Sequence, residues 1–264
     1  MRWIVRALIA NLIALALTAP GLAEPGLCGG EIPCPVGERR YRAALPEGWD
    51  GVRPLPVVLH FHGWGRQGAG VLTNPRIAGA VAEAGALLIA PDGLGKSWDF
   101  WRDTSRDVPF VEAVLADAAR RWPIDRSRIV ISGFSYGAAM VLRLACAKGE
   151  AYAAYLPIAG TLWRQDEQDC VGPARVLAVH GLTDTVMDLP RGPGGEVAAG
   201  VALWRRMNMV AEPPEVSQLG AYACHSWVGQ APVRLCTHPG GHWIPRDWLG
   251  LVLPDVLGDQ DLGD

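Results

Sequence analysis

Hydrophobic residues fall into short continuous runs along the chain, separated by longer stretches with a helical period. The runs are "PVVLHFHG" (56–63), "ALLIAPDG" (86–93), "RIVISG" (128–133), "AAYLPIAG" (153–160) and "RVLAVHG" (175–181). Each ends in Gly or in Pro-Asp-Gly, as a strand buried on both faces ends when it hands over to a loop. These are predicted to be central strands. Between them, residues 108–122 place Phe110, Val114, Ala118 and Trp122 on one face, with Pro109 in the first turn and Pro123 as a stop. Residues 73–86, 136–148 and 196–209 are the other helix candidates. The alternation predicts an α/β protein with a doubly wound, mostly parallel sheet and helices on both faces. Near the C-terminus, "CHSWVGQAPVRLCTH" (224–238) reads as two strands joined around Gly229 and Gln230.

Composition narrows the picture. Half of the 264 residues are hydrophobic, which suits one large domain over residues 24–264, and no repeat or interdomain linker interrupts it. The first 23 residues combine two arginines, an apolar run from Ala7 to Leu17, and Gly21 and Ala23 before a polar position. That is the pattern of a secretory signal peptide cleaved after Ala23, and it predicts a secreted or periplasmic protein. The net charge of −3, without a Lys/Arg cluster, gives no footprint for nucleic acid or for an anionic membrane once the leader is removed. Six cysteines suit an oxidising compartment. Sequential pairing, Cys28 with Cys34, Cys146 with Cys170 and Cys224 with Cys236, closes the shortest loops, and the last pair would clip the hairpin.

One stretch carries candidate chemistry. In "VISGFSYGAAM" (130–140) Ser135 stands between Gly133 and Gly137, after a predicted strand and before a predicted helix. That is the setting of a nucleophile elbow, a sharp turn that exposes a serine hydroxyl. A serine needs a base within reach and an acid to orient that base, and in sheets of this kind the chain order is serine, acid, histidine. Asp184, just past the strand 175–181, is the expected acid, with Asp188 as the alternative. His242, in the glycine-bracketed "HPGGHWIP", is the expected base, with His238 as the alternative. His60, His180 and His225 read as structural. Two main-chain amides would stabilise an oxyanion, those of Tyr136 and of Trp64 in "HGWG" (62–65).

Other motifs carry less. Pro239, Gly240 and Gly241 between His238 and His242 forbid a regular helix, so the i, i+4 spacing is no metal signature. "GLGKS" (93–97) lacks the spacer of a phosphate loop. No metal or organic cofactor is expected. The chain has 11 Trp against 4 Phe, and Trp98, Trp101 and Trp243 fall on loops near the expected site, where flat aromatic faces suit sugar rings or aromatic acyl groups.

With these residues assembled, the chain resembles the secreted esterases that group polyhydroxybutyrate depolymerases, feruloyl esterases and acetylxylan esterases, a branch of the α/β-hydrolases. Four blocks carry the resemblance: "PLPVVLHFHGWG" (54–65); "PIDRSRIVISGFSYGAAM" (123–140) with "AAYLPIAG"; "VLAVHGLTDTVM" (176–187); and "PGGHWIP" (239–245). It implies an α/β-hydrolase fold, with Ser135, Asp184 and His242 at the family's triad positions and Trp64 and Tyr136 at its oxyanion amides. Ile244 and Arg246 stand where the family commonly has Trp and Gly, and Trp64 where a small residue or Cys is frequent. The implied activity is hydrolysis of carboxylic esters, feruloyl or acetyl esters of carbohydrates or polyhydroxyalkanoate-type polyesters. A secreted serine peptidase and a noncatalytic binding protein on the same scaffold are the alternatives.

Overall fold

The structure, a computed structural model, describes residues 28–102, 104–162 and 170–258. The expected signal peptide, residues 1–23, lies outside the described residues. The strands are β1 (Cys34–Val36), β2 (Arg39–Ala44), β3 (Leu55–Phe61), β4 (Leu87–Pro91), β5 (Ile124–Phe134), β6 (Ala154–Ile158), β7 (Val176–Gly181), β8 (Glu215–Leu219), β9 (Tyr222–Trp227) and β10 (Val233–His238). They form one sheet in the order β1-β2-β4-β3-β5-β6-β7-β10-β9-β8. The middle six, from β4 to β10, are parallel, and the two outer strands on each side run antiparallel to their neighbours. All five apolar runs are central strands, and the 224–238 segment is the β9–β10 hairpin.

The helices are α1 (Gly68–Leu72), α2 (Pro75–Glu83), α3 (Asp107–Arg121), α4 (Tyr136–Lys148), α5 (Ala202–Met207) and α6 (Trp248–Leu257). Along β3, Leu55, Val57, Leu59 and Phe61 face one core with α3, α4 and α5, while Val58 faces a second core with α1, α2 and α6. Period-two alternation thus splits a continuously apolar strand between two layers of helices. Chain, sheet and layers together make an α/β-hydrolase fold.

Local chemistry sets the helix ends. The Asn74 carboxamide accepts from the Arg76 amide and Pro75 occupies the first helical position, so α2 starts there rather than at Thr73. Of the expected inward face of α3, Phe110, Val114 and Ala118 are buried. Trp122 instead takes extended backbone as the C-cap, because Pro123 disfavours helical geometry at the residue before it. The segment 196–209 is not one helix. A 3-10 turn over Val197–Val201 precedes α5, with Gly200 and two β-branched valines, weak helix formers, at the break.

The cysteines pair sequentially. Cys28–Cys34 ties the chain ahead of β1, Cys146–Cys170 ties the end of α4 to the loop after β6, and Cys224–Cys236 joins directly opposed residues of β9 and β10. None is free among the described residues.

Candidate active site

The parallel strands deliver their following loops to one edge of the sheet, where sites of open α/β sheets form. β5 delivers Ser135, β7 delivers Asp184, β10 delivers His242 and β3 delivers the loop 62–66.

Ser135 has φ 59° and ψ −120°, a left-handed conformation that L-residues seldom adopt. Its surroundings enforce it. The Ser135 amide donates to the Ile158 carbonyl at 3.0 Å, and its carbonyl accepts from the Ala139 amide at 3.1 Å. A Cβ on Gly137 would lie 2.2 Å from the Phe61 carbonyl oxygen, and one on Gly133 would lie 2.5 Å from that of Gly137. Strand, turn and helix therefore close to a distance that only glycine permits at both positions.

His242 stands against this serine. Its Nε2 accepts from the Ser135 hydroxyl at 2.9 Å, and its Nδ1–H donates to Asp184 Oδ2 at 2.7 Å. The other carboxylate oxygen, Oδ1, accepts from the amides of Val186 and Met187, each at 2.9 Å. Burial alone would raise the Asp184 carboxyl. The Met187 amide, the His242 hydrogen bond and the Val186 amide outweigh it and hold the group below the usual range. The carboxylate is thus ionised and fixed in orientation, and it selects the imidazole tautomer that leaves Nε2 as an acceptor. The Phe134 ring lies 4.8 Å from the imidazole, centroid to centroid.

The histidine loop is pinned from β7. The Leu182 amide donates to the His238 carbonyl at 2.8 Å and the Thr183 amide to the Gly240 carbonyl at 3.1 Å. The indole of Trp243 lies over Gly240, where any Cβ would overlap the ring. Asp188, the alternative acid, makes none of these contacts. His238, the alternative base, is buried and accepts from the Gly240 amide at 3.1 Å, which makes it a brace for the loop. His180 donates to the Met187 carbonyl at 2.6 Å and steadies the turn that carries Asp184.

The loop 62–66 passes beside the serine: a Cβ on Gly63 would come within 3.5 Å of Ser135 Cβ. A turn closes through the Arg66 amide to the Gly63 carbonyl at 3.2 Å, with Gly65 at φ 73°. The Gly65 amide donates to the Lys96 carbonyl at 2.9 Å. The Trp64 amide takes no part in these loop-holding bonds. His62 locks the start of the turn, donating from Nδ1 to the Gly63 carbonyl at 2.8 Å and accepting from the Gly93 amide at 3.0 Å. Sequence reasoning missed His62 as a positioning group, although a histidine beside Gly63 was the available signal.

A cavity of about 940 Å³ opens over Ser135, Tyr136 and His242, with Trp64, Arg66, Arg76 and Trp243 among its walls. Of the three tryptophans expected to bind substrate, Trp243 lines this cavity and is half-exposed. Trp98 does not. It is buried, donates its indole N–H to the His62 carbonyl at 2.7 Å and packs edge-on against Phe61. Its aromatic face is used by the core, a correction to the sequence expectation. Trp101 lies outside the cavity walls and stacks at an angle on Phe100, behind Tyr136.

Comparison with known proteins agrees with this architecture. Residues 103–193 match the phospholipase/carboxylesterase family model, a span that includes Ser135 and Asp184 and stops before His242. Feruloyl esterase C of Emericella nidulans is 26% identical over 255 residues, covering 89% of this chain and 90% of that protein. The putative esterase NocK of Nocardia uniformis subsp. tsuyamanensis is 32% identical over 149 residues, covering 53% and 42% of the two chains. The solved acetyl xylan esterase from Aspergillus awamori superposes with a TM-score of 0.63 at 16% identity, covering 81% of this chain and 94% of that one. Fold and sequence likeness agree: the chain has the α/β-hydrolase fold, and the relatives it resembles in sequence are esterases.

Proposed function

We propose that the chain is an exported serine esterase that hydrolyses carboxylic esters through an acyl-enzyme. Ser135 Oγ attacks the acyl carbonyl while His242 Nε2 takes its proton, and the amides of Tyr136 and Trp64 face the oxyanion. The protonated imidazole is stabilised by Asp184 and returns the proton to the departing alcohol. Water, activated by the same imidazole, then releases the acid and regenerates the serine.

The observation that carries this reading is the unbroken row from Ser135 Oγ through the imidazole to Asp184, at 2.9 and 2.7 Å, on a serine whose backbone is held left-handed. The proposed substrates are feruloyl or acetyl esters of carbohydrates or polyhydroxyalkanoate-type polyesters, because the relatives' names run to feruloyl and acetyl xylan esterases and the walls hold exposed indoles. Export is supported by the leader-like N-terminal sequence and the three disulfides.

The test sets wild type beside Ser135→Ala on para-nitrophenyl acetate, methyl ferulate, acetylated xylan and hydroxybutyrate oligomers. A fluorophosphonate probe labels Ser135 in the wild type only, and hydrolysis in the variant falls by orders of magnitude, to the residual rate that the oxyanion amides and binding alone sustain. Equal rates in the two proteins would refute the mechanism.

A further inference from the structure

The cavity walls are charged in one sense. Arg66 and Arg76 line them and, among the described residues, no aspartate or glutamate does, although the chain as a whole carries a net charge of −3. Asp184 is screened from the cavity behind His242, its side chain fully buried. Both arginines line the cavity that contains Ser135 and His242. Arg66 closes the turn that carries Trp64, and its guanidinium has no ion-pair partner among the described residues. Arg76, in the first turn of α2, donates from Nη1 to the Ile244 carbonyl at 2.6 Å, two residues past His242. A guanidinium has five N–H donors in a planar fork, so this one bond leaves most of the Arg76 fork available. Neutral walls around two cations focus their field into the cavity and raise the local concentration of anions.

We infer that the site selects esters bearing a carboxylate away from the scissile bond, with Arg66 and Arg76 as its specificity-determining residues. This rests on the proposed esterase reading and narrows its substrate class. The carboxylate is available from two sources. It can sit on the alcohol, as in an acidic sugar or the free end of a hydroxy-acid oligomer, or on the acyl group, as in a half-ester of a dicarboxylic acid. Arginine suits either, since the fork meets a carboxylate in bidentate fashion.

Two substrate pairs separate the sources. Para-nitrophenyl hemiglutarate against para-nitrophenyl valerate reports an acyl-side carboxylate, and carboxyphenyl acetate against its methyl ester reports an alcohol-side one. The measured quantity is the ratio of kcat/KM for the charged ester to that for its neutral partner, in wild type, Arg66→Gln, Arg76→Lys and Arg66→Glu. In at least one pair the ratio falls about fivefold in Arg66→Gln, the upper scale of an exposed ion pair, and further in Arg66→Glu. It falls less in Arg76→Lys, which keeps the charge and loses the fork. Raising the salt from about 0.05 M to about 0.5 M lowers the wild-type ratio and leaves that of Arg66→Gln nearly flat. Ratios unchanged by all three variants in both pairs overturn the inference while a Ser135-dependent neutral esterase still stands. A folded wild type that cleaves none of the four esters overturns both readings.

Discussion

The serine elbow and the histidine loop meet at one hydrogen bond, yet they are built on different principles. The elbow is main chain packed on main chain: Gly133 against Gly137, Gly137 against Phe61, and Ser135 bonded fore and aft by its own amide and carbonyl. The histidine loop is also pinned to β7 by main chain, but the orientation of the imidazole itself comes through side chains, namely the Asp184 carboxylate, the Phe134 ring and the Trp243 indole. Steric closure leaves Ser135 one available conformation, whatever the pH. A relay of polar contacts also fixes an orientation, but it depends on a protonation state and on one tautomer. The two halves should therefore fail differently, the elbow by unfolding and the histidine loop by losing chemistry while folded.

Asp184→Asn tests the second half and has the larger expected effect of the two. The carboxamide retains an oxygen for the Val186 and Met187 amides, so the fold survives. It can present N–H to His242 and reverse the tautomer, which removes the acceptor Ser135 needs. Ester hydrolysis should fall about 10⁴-fold in kcat, with an unchanged circular dichroism spectrum and a thermal midpoint within a few degrees. Gly137→Ala tests the first half. Its Cβ would meet backbone oxygens of Phe61 and His62 at 2.2 and 2.8 Å, and neither can move without shifting β3. A loss of about 3 kcal/mol or more in urea unfolding is expected. An active, stable Gly137→Ala would mean that the elbow is looser than its contacts imply.

The same difference decides what could be read from the sequence. The elbow was legible because its glycines, its serine and both flanks are consecutive letters, and the packing requirement fixes their identity. Five parallel strands were legible for a similar reason, being buried on both faces and so apolar without interruption. The outer strands β1, β2 and β8 escaped: β1 is only three residues long, and β2 and β8 are partly exposed and mix charged with apolar residues. The helix α6 escaped because Pro254 lies inside it, near its end, although Trp248, Leu249, Val252, Leu253 and Val256 are all buried. Asp184 and His242 were reached only by chain order and loop position, since nothing local separates them from Asp188 and His238. Burial separates the tryptophans, and no local pattern announced that Trp98 would bury its indole beneath His62.

Disulfide removal sharpens the comparison on the histidine side. Cys224–Cys236 clips the hairpin whose second strand leads into the loop of His242, and it encloses a sequence separation of 12. Replacing both cysteines by alanine should cost about 2 to 3 kcal/mol of stability. KM and kcat measured well below the new midpoint should stay near wild type, because Asp184 and Trp243 still orient the ring. Acid acts next, and more weakly over a moderate range. His60 is fully buried, and burial first, then His62, pushes its imidazole down to about 3 from 6.5. It is neutral in the folded protein, so its contribution is complete above the unfolded value and is lost as pH falls toward the folded one. Between about pH 6.5 and pH 5 this loss reaches about 2 kcal/mol at most. His62, His180 and His238 are also lowered, mainly by burial, and act in the same sense. In His60→Met the thermal midpoint should depend less on pH over that interval, whatever its starting value.

The smallest effect separates support from substrate contact. Trp98 holds the His62 carbonyl through its indole N–H, at the base of the turn that presents Trp64. Trp98→Phe keeps an aromatic ring against Phe61 and removes that one buried hydrogen bond, so stability should fall by about 1 kcal/mol. If Trp98 acts only beneath the loop, kcat on small and bulky esters should drop by the same modest factor, because a displaced oxyanion turn affects every acyl group alike. Trp243→Phe, on the cavity wall, should instead shift KM between small and bulky esters. A Trp98→Phe protein whose loss grew with substrate size, at unchanged kcat on para-nitrophenyl acetate, would put that indole in contact with substrate and require the loop to open around it.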